Sequence, residues 1–191
     1  MKKITFSLLL AFAFLFTNNL FAQENLFSKG DKVLNLGIGL GSTLYTGSYY
    51  SSTIPPISAS FELGFMDDVL EKGSIGLGGY AGFSAHKWKN TWAGADWGYK
   101  YTNIIVGARG TFHYPFIDKL DTYTGLMIGF NISSSKEFGN IDPNYNYSAA
   151  SGGLVWSWYA GGRYYFTDKL AAMAEIGYGI AWLNIGVALK M

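Results

Sequence analysis

Four charged residues are spaced so that they could form a buried ion-pair network or line a polar channel. In "RYYFTDKLAAMAEIGYGIAW", residues 163–182, Arg163 and Glu175 share the side of a period-two alternation that carries glycines, opposite the large apolar residues. By the same parity, Glu62 and Arg109 lie on the glycine side of their own segments. Two positive and two negative charges cancel, as a poorly hydrated interior requires. We predict a structural salt-bridge network, with a gated or ion-selective pore as the alternative.

The predicted network occupies a single layer, since each of its four members lies about five to eight residues from the nearest short turn. With a turn at Asp168 and Lys169, Arg163 lies opposite about Met173, which makes Glu175 its diagonal neighbour in the same hairpin. We therefore expect Arg163 and Glu175 to be within reach of each other.

The two histidines are the obvious candidates for acid–base chemistry near neutral pH. His86 follows Ser84 by two positions, and His113 follows Thr111 in the same way. A hydrolytic enzyme of the Ser–His type also needs an acid that orients the histidine. No such constellation stands out, so we predict no catalytic residue and assign both histidines structural positions.

Two other motifs resemble binding loops only in part. "DPNYN" places Asp142, Asn144 and Asn146 like the start of a calcium loop, but the turn glycine is missing and Gly153 stands where the twelfth-position glutamate should be. "GLGGYA" matches a loose dinucleotide-binding pattern with no helix after it. We therefore expect no metal site and no cofactor.

The composition is unusual for a water-soluble domain. Charged residues make up 14% and aromatic residues 18%, with 25 glycines and no cysteine, whereas a soluble domain carries about 25% charge. The formal net charge of +1 provides no basic surplus for nucleic acid. After the N-terminus no segment has 18 consecutive apolar residues, so helical membrane spans are not expected. These features together favour an exported β-barrel of the outer membrane.

The N-terminal segment has the layout of a cleaved signal peptide. "MKKITFSLLLAFAFLFTNNLFAQ" begins with two lysines, continues with a short apolar run and reaches the small residue Ala22. We predict a signal peptide at residues 1–22, a short periplasmic segment at 23–31 and an outer-membrane barrel at 32–191. The predicted location is the bacterial outer membrane.

Strand patterns recur along the rest of the chain, separated by turn residues. They predict eight strands, at about 32–46, 56–67, 73–88, 97–115, 119–133, 153–167, 169–181 and 183–191. The connections after strands two, four and six are short, and those after strands one, three and five are longer. Outer-membrane barrels combine short periplasmic turns with longer outer loops. The fold class is therefore all-β, an antiparallel up-and-down transmembrane barrel with both termini in the periplasm.

Aromatic residues are concentrated near the ends of the predicted strands, as in the girdles of membrane barrels. The predicted girdle comprises Trp88, Trp97, Trp156, Trp158 and Trp182 toward the outer end, and Phe65, Phe112, Phe116 and Phe166 near the short turns.

Two segments carry a resemblance to a known family. "GARGTFHYPFIDKLDTYTGLMIGFN" and "GGRYYFTDKLAAMAEIGYGIAWLNIGVALKM" resemble the small outer-membrane barrels of Bacteroidetes-type bacteria, which are akin in architecture to OmpX- and OmpA-type eight-stranded barrels. The resemblance implies a filled lumen, contact with outer-membrane lipid and lipopolysaccharide, and insertion by the outer-membrane assembly machinery.

The function expected from these sequence features is non-enzymatic. It is a role in envelope structure or surface interaction, with a possible extracellular ligand at the outer loops. The alternatives are a narrow pore for small solutes and a lipid-modifying enzyme.

Overall fold

The strands of this chain close into a single antiparallel barrel. The computed structural model describes residues 25–45, 48–92, 95–139 and 152–191. Each strand pairs with the next along the chain, and the last pairs with the first. The strands are β1 (Lys32–Ser42), β2 (Tyr50–Val69), β3 (Gly73–Trp92), β4 (Ala95–Ile117), β5 (Leu120–Gly139), β6 (Gly153–Tyr165), β7 (Leu170–Gly177) and β8 (Ala181–Lys190). The predicted all-β fold, an antiparallel up-and-down barrel of eight strands, is confirmed; the predicted signal peptide lies outside the described residues.

Alternating residues point to opposite faces of the barrel wall. The distribution of side chains is inverted relative to a soluble protein, with apolar residues outside and polar residues inside. In β1, Leu36, Ile38 and Leu40 are exposed on the outside, whereas Val33 and Asn35 are buried inside. The same alternation continues around the barrel, so the outer surface is a belt of aliphatic and aromatic side chains and the interior contains most of the buried polar groups. Small inward residues make room for them: a Cβ on Gly76 would collide with the Glu62 side chain.

Four strands extend well past the others at one end of the barrel. Strands β2 to β5 contain 20, 20, 23 and 20 residues, about twice the ~9–11 that a tilted strand needs to cross a bilayer. The segments "GSYYSSTIPP" and "KNTWAGADW", which the sequence pattern assigned to loops, are therefore largely strand, with Tyr50 paired to Trp88 and Asn90 to Trp97. Ring contacts such as that between Trp88 and Trp97, 5.4 Å between centroids, hold this extension together.

Strand β7 is shorter than its sequence pattern indicated. It ends at Gly177, and residues 178–180 form a bend before β8 begins at Ala181. The Thr43 hydroxyl donates a hydrogen bond to the Gly179 carbonyl, and the Ile180 side chain is fully buried. Because the Gly179 carbonyl bonds to a side chain and Ile180 packs into the interior, residues 178–180 do not continue the ladder between β7 and β8.

The N-terminal segment 25–31 packs against the short-turn end of the barrel. Gly30 N–H donates to the Gly64 carbonyl, and Gly64 N–H donates to the Asp31 carbonyl, both at 2.9 Å. The Lys190 ammonium group lies 2.7 Å from an Asp31 carboxylate oxygen and donates to the Leu26 carbonyl at 3.0 Å. These contacts place Phe27 over the interior. The described residues include no helix long and apolar enough to cross a membrane.

Candidate functional site

A buried cluster of charges lies at the short-turn end of the barrel interior, centred on Arg163. This arginine is 1% exposed. Its guanidinium group donates to the carboxylates of Glu62 and Asp121, the latter at 3.0 Å, and to the Asn35 amide oxygen at 3.0 Å. Three strands besides its own thus provide acceptors for one cation. A planar guanidinium with several fixed donors suits such a junction better than a lysine would.

His113 completes this cluster from β4. Its Nδ1 lies 2.8 Å from Asp121 Oδ1, and its Nε2 lies 3.0 Å from Glu62 Oε1. Ionised carboxylates only accept hydrogen bonds, so contact with both ring nitrogens requires both to donate, as in an imidazolium ion. With His113 positive, the two cations Arg163 and His113 balance the two carboxylates, and the cluster is neutral.

Phe27 closes the cluster from the short-turn end. Its ring is 2% exposed and stacks on the His113 ring with 4.1 Å between centroids. The Ser74 hydroxyl donates to the Phe27 carbonyl at 2.7 Å, which fixes the segment across the mouth. The charges below Phe27 are therefore shielded from solvent at this end.

A second ion pair lies deeper in the barrel. The Arg109 guanidinium is 2.6 Å from the Glu175 carboxylate, and the Tyr123 hydroxyl donates to the same carboxylate at 3.3 Å. Arg109 also lies over the Tyr159 ring, 3.6 Å from its centroid. Stacking on an aromatic face and pairing with a carboxylate together compensate for the loss of water around the guanidinium.

Little space remains around this pair. The cavity lined by Tyr80, Arg109, Tyr159 and Glu175 has a volume of about 20 Å³, room for roughly one water molecule. An eight-stranded barrel has an interior just wide enough for side chains. At the level of Arg109 the lumen is therefore filled.

The structure brings the four predicted network residues into the interior but pairs them differently from the sequence-based expectation. Arg163 lies opposite Met173, as the hairpin register predicted, yet its ion pairs are with Glu62 and Asp121, while Glu175 pairs with Arg109. The single predicted layer is thus two tiers.

Sequence reasoning missed His113 and Asp121 as members of the network. Asp121 belongs to the inward parity of β5, and His113 pairs in register with Tyr123, so Asp121 is its diagonal neighbour in a tight hairpin. Diagonal neighbours are within reach of each other's side chains. The diagonal position of Asp121 relative to His113 is therefore the feature of the sequence that could have predicted their contact.

The predicted girdle residues fall into two groups. Seven lie on the outward face of the barrel wall, most of them well exposed: Phe65, Phe112, Phe116, Trp156, Trp158, Phe166 and Trp182. Trp88 and Trp97 instead continue the inward parity of β3 and β4 beyond the filled lumen, where they pack on each other and on Tyr99. These two tryptophans are on the inward parity, and the strand extension carries them past the barrel rim. For both reasons they are not placed to contact lipid.

His86 and Ser84 lie near the opposite mouth and do not form a catalytic pair. Both are buried on the inward face of β3, and neither the histidine nitrogens nor the serine oxygen has a hydrogen-bond partner in the described chain. The His86 ring packs on Tyr45, 4.8 Å between centroids. Within the described ranges no carboxylate contacts His86, so the Ser–His–acid arrangement is not assembled there.

Comparisons with known proteins locate the fold among outer-membrane barrels. No protein-family model matches the chain, and no curated protein matches it in sequence. The outer membrane protein OprG of Pseudomonas aeruginosa superposes with a TM-score of 0.57 and 11% identity, over 88% of this chain and 99% of that one.

Two other solved structures show weaker likeness. The N-terminal β-barrel domain of Pseudomonas aeruginosa OprF gives a TM-score of 0.47 at 14% identity, over 86% of this chain and 98% of that one. Ail, the attachment invasion locus protein of Yersinia pestis, crystallised with the heparin analogue sucrose octasulfate, gives 0.44 at 12%, over 85% and 96%. The OprG match, with the closed ladder above, shows that this chain has the fold of a small outer-membrane β-barrel.

Proposed function

We propose that this protein is an integral outer-membrane barrel that acts without catalysis, in envelope structure or surface interaction. The observation that carries the proposal is the inverted wall: apolar side chains such as Ile128, 64% exposed, face outward, while Arg163, Glu62 and Asp121 are buried inside. A soluble monomer rarely exposes an apolar patch larger than a few hundred Å². Lipid is the medium that suits a continuous apolar belt around a closed barrel.

The filled interior favours a structural lumen over the alternative of a solute pore. Two neutral tiers of ion pairs occupy it, with about 20 Å³ free beside the second tier and Phe27 across the short-turn mouth. A hydrated solute needs a continuous water path, and the interior beside Arg109 leaves room for roughly one water. The lumen thus serves as a rigid core for the wall.

The lipid-modifying enzyme is disfavoured by the surroundings of both histidines. His113 does contact carboxylates, but it is buried beneath Phe27 with both ring nitrogens occupied. A catalytic base must reach a substrate proton directly or through one water. His86 lacks the acid that would orient it among the described residues. Neither residue is arranged for general base catalysis.

The proposed orientation rests on the lengths of the connections. The turns after β2, β4 and β6 are short, and the extended ends of β2 to β5 lie at the opposite side. Outer-membrane barrels place short turns in the periplasm, so we assign both described termini to the periplasmic side and the strand extension to the cell exterior. The predicted signal peptide, assembly by the outer-membrane machinery, a ligand at the outer loops and the kinship with Bacteroidetes-type barrels remain predictions under this proposal.

Cell fractionation tests this proposal. The full chain, expressed in a Gram-negative host, should co-sediment with the outer membrane, and should run faster on denaturing gels without heating than after boiling. The shift is expected because a closed barrel has no free edge from which to unzip. Recovery as a soluble periplasmic monomer, or a single gel position with and without heating, would contradict it.

A further inference from the structure

Three successive rows of outward residues change character across β3, β4 and β5. Each row consists of three residues directly opposite one another in the ladder. From the belt toward the strand extension, the rows are Phe83, Ile104 and Ile132; then Ala85, Thr102 and Ser134; then Lys87, Lys100 and Lys136. The sequence of rows is apolar, small or polar, and cationic.

The three lysines of the cationic row repel one another when no anion is bound between them. Side chains directly opposite in a ladder are about 4.5–5.5 Å apart at Cβ, and like charges in such positions repel. Among the side chains that the structure describes, which exclude those of residues 90–96, no ion pair joins these three ammonium groups to a carboxylate; Lys87 instead lies 4.1 Å from the Phe138 ring centroid. Glu137 belongs to the inward parity of β5 and so lies on the other face of the sheet. The row therefore places three ammonium groups side by side on one face of the sheet.

We propose that Lys87, Lys100 and Lys136 bind the phosphate groups of lipopolysaccharide in the outer leaflet. This inference rests on the proposed membrane function and names its lipid partner site. Phosphate is a multivalent anion, so one group can neutralise several adjacent ammonium groups, and Lys is an established phosphate ligand. Binding removes the repulsion within the row, which provides part of the driving force.

The position of the row favours a membrane glycolipid over a soluble anionic polymer. The lysines are on the same outward face as Ile104 and Ile132, which are exposed in the apolar belt. They lie four residues farther along each strand, about 14 Å at ~3.4 Å per residue. With a strand tilt of about 40°, the row is roughly 10 Å above the last apolar row, at headgroup level. A lipid that covers the belt thus brings its own phosphates to the lysines.

The test compares binding of lipopolysaccharide to the folded full-length chain in detergent at a fixed salt concentration. The variant K87Q/K100Q/K136Q, called the outer variant, should bind more weakly, with the Kd raised at least about tenfold. The control K72Q/K119Q/K169Q removes the same charge at the short-turn end and should change the Kd less than about twofold. Lipopolysaccharide stripped of its lipid phosphates should bind the wild type about as weakly as the intact glycolipid binds the outer variant.

Equal affinity of the wild type and the outer variant would overturn the inference, as would an equal loss in the control. Preferential binding of a sulfated oligosaccharide in place of lipopolysaccharide would also overturn it, because the partner would then be a soluble polymer. These outcomes are separable from failure of the proposed function, since every sample is first required to show the heat-dependent gel shift. A wild-type chain that fails this requirement contradicts the barrel proposal itself.

Discussion

Replacing Arg163 by methionine is expected to lower the free energy of unfolding by about 3–5 kcal/mol. The substitution leaves Glu62 and Asp121 buried with only His113 between them. An uncompensated charge in a dry interior costs far more than the loss of an exposed ion pair. The measurement is denaturant unfolding of the refolded chain in detergent, with the heat-dependent gel shift used to count folded molecules if the variant is too unstable.

Three further variants make this result specific. Glu62→Gln is made alone and together with Arg163→Met; in the double variant it removes one stranded carboxylate and should recover part of the loss. Lys190→Met breaks an ion pair of similar length at the barrel end, where Lys190 and Asp31 are 25% and 23% exposed, and should cost about 1 kcal/mol or less. Small and additive effects for Arg163→Met and Glu62→Gln would mean that the interior is hydrated, contrary to the proposed filled lumen.

Replacing Ile128 by arginine is expected to destabilise the barrel by about 2–4 kcal/mol in lipid. Ile128 is 64% exposed on the outward face of β5, between Leu126 and Phe130 in the apolar belt. An arginine near the bilayer midplane must carry its charge into hydrocarbon or distort the lipid around it. The comparison is between folding free energies of the wild type and the variant in phospholipid vesicles.

Ile128→Met provides the charge-free control, since it keeps an apolar side chain of similar length at the same position. It should change stability by about 0.5 kcal/mol or less, because an exposed site imposes no tight packing on the new side chain. If Ile128→Arg were as well tolerated as Ile128→Met, the outward face of β5 would be in water, and the membrane placement would be wrong.

The wall of the barrel could be predicted from sequence because its signal is local. A period of two along each segment assigns every residue to one face, and this parity is what brought Glu62, Arg109, Arg163 and Glu175 together as inward residues. Turn residues between the segments then gave the strand count. Neither inference needed the relation between distant strands.

The pairing within the lumen could not be predicted in the same way. Arg163 on β6 reaches Glu62 on β2, 101 residues away, and which inward residues meet across the lumen depends on strand tilt and shear. Local alternation carries no information about shear. The hairpin register correctly placed Arg163 opposite Met173, but proximity within one hairpin was a poor guide to ion pairing when stronger partners approached from across the barrel.

The extended strands show a second limit. Trp88 and Trp97 were assigned to a lipid-facing girdle because tryptophan is common there, yet their ladder positions carry them past the rim on the inward parity. Strand pairing can continue past the level at which a bilayer ends, and β3 and β4 keep pairing as far as Trp92 and Ala95, beyond the proposed membrane-spanning part. Parity, applied without residue preference, would have placed both tryptophans correctly.

Ionic current through planar bilayers is the measurement that most directly tests the central claim, a closed barrel with a filled lumen. The sample is wild-type protein that shows the heat-dependent gel shift, reconstituted at a density that gives many copies per bilayer. Two tiers of ion pairs, about 20 Å³ of space beside Arg109 and the Phe27 cap predict no current steps above the lipid baseline. Regular, reproducible steps that scale with the amount of folded protein would contradict the account and show that the lumen conducts.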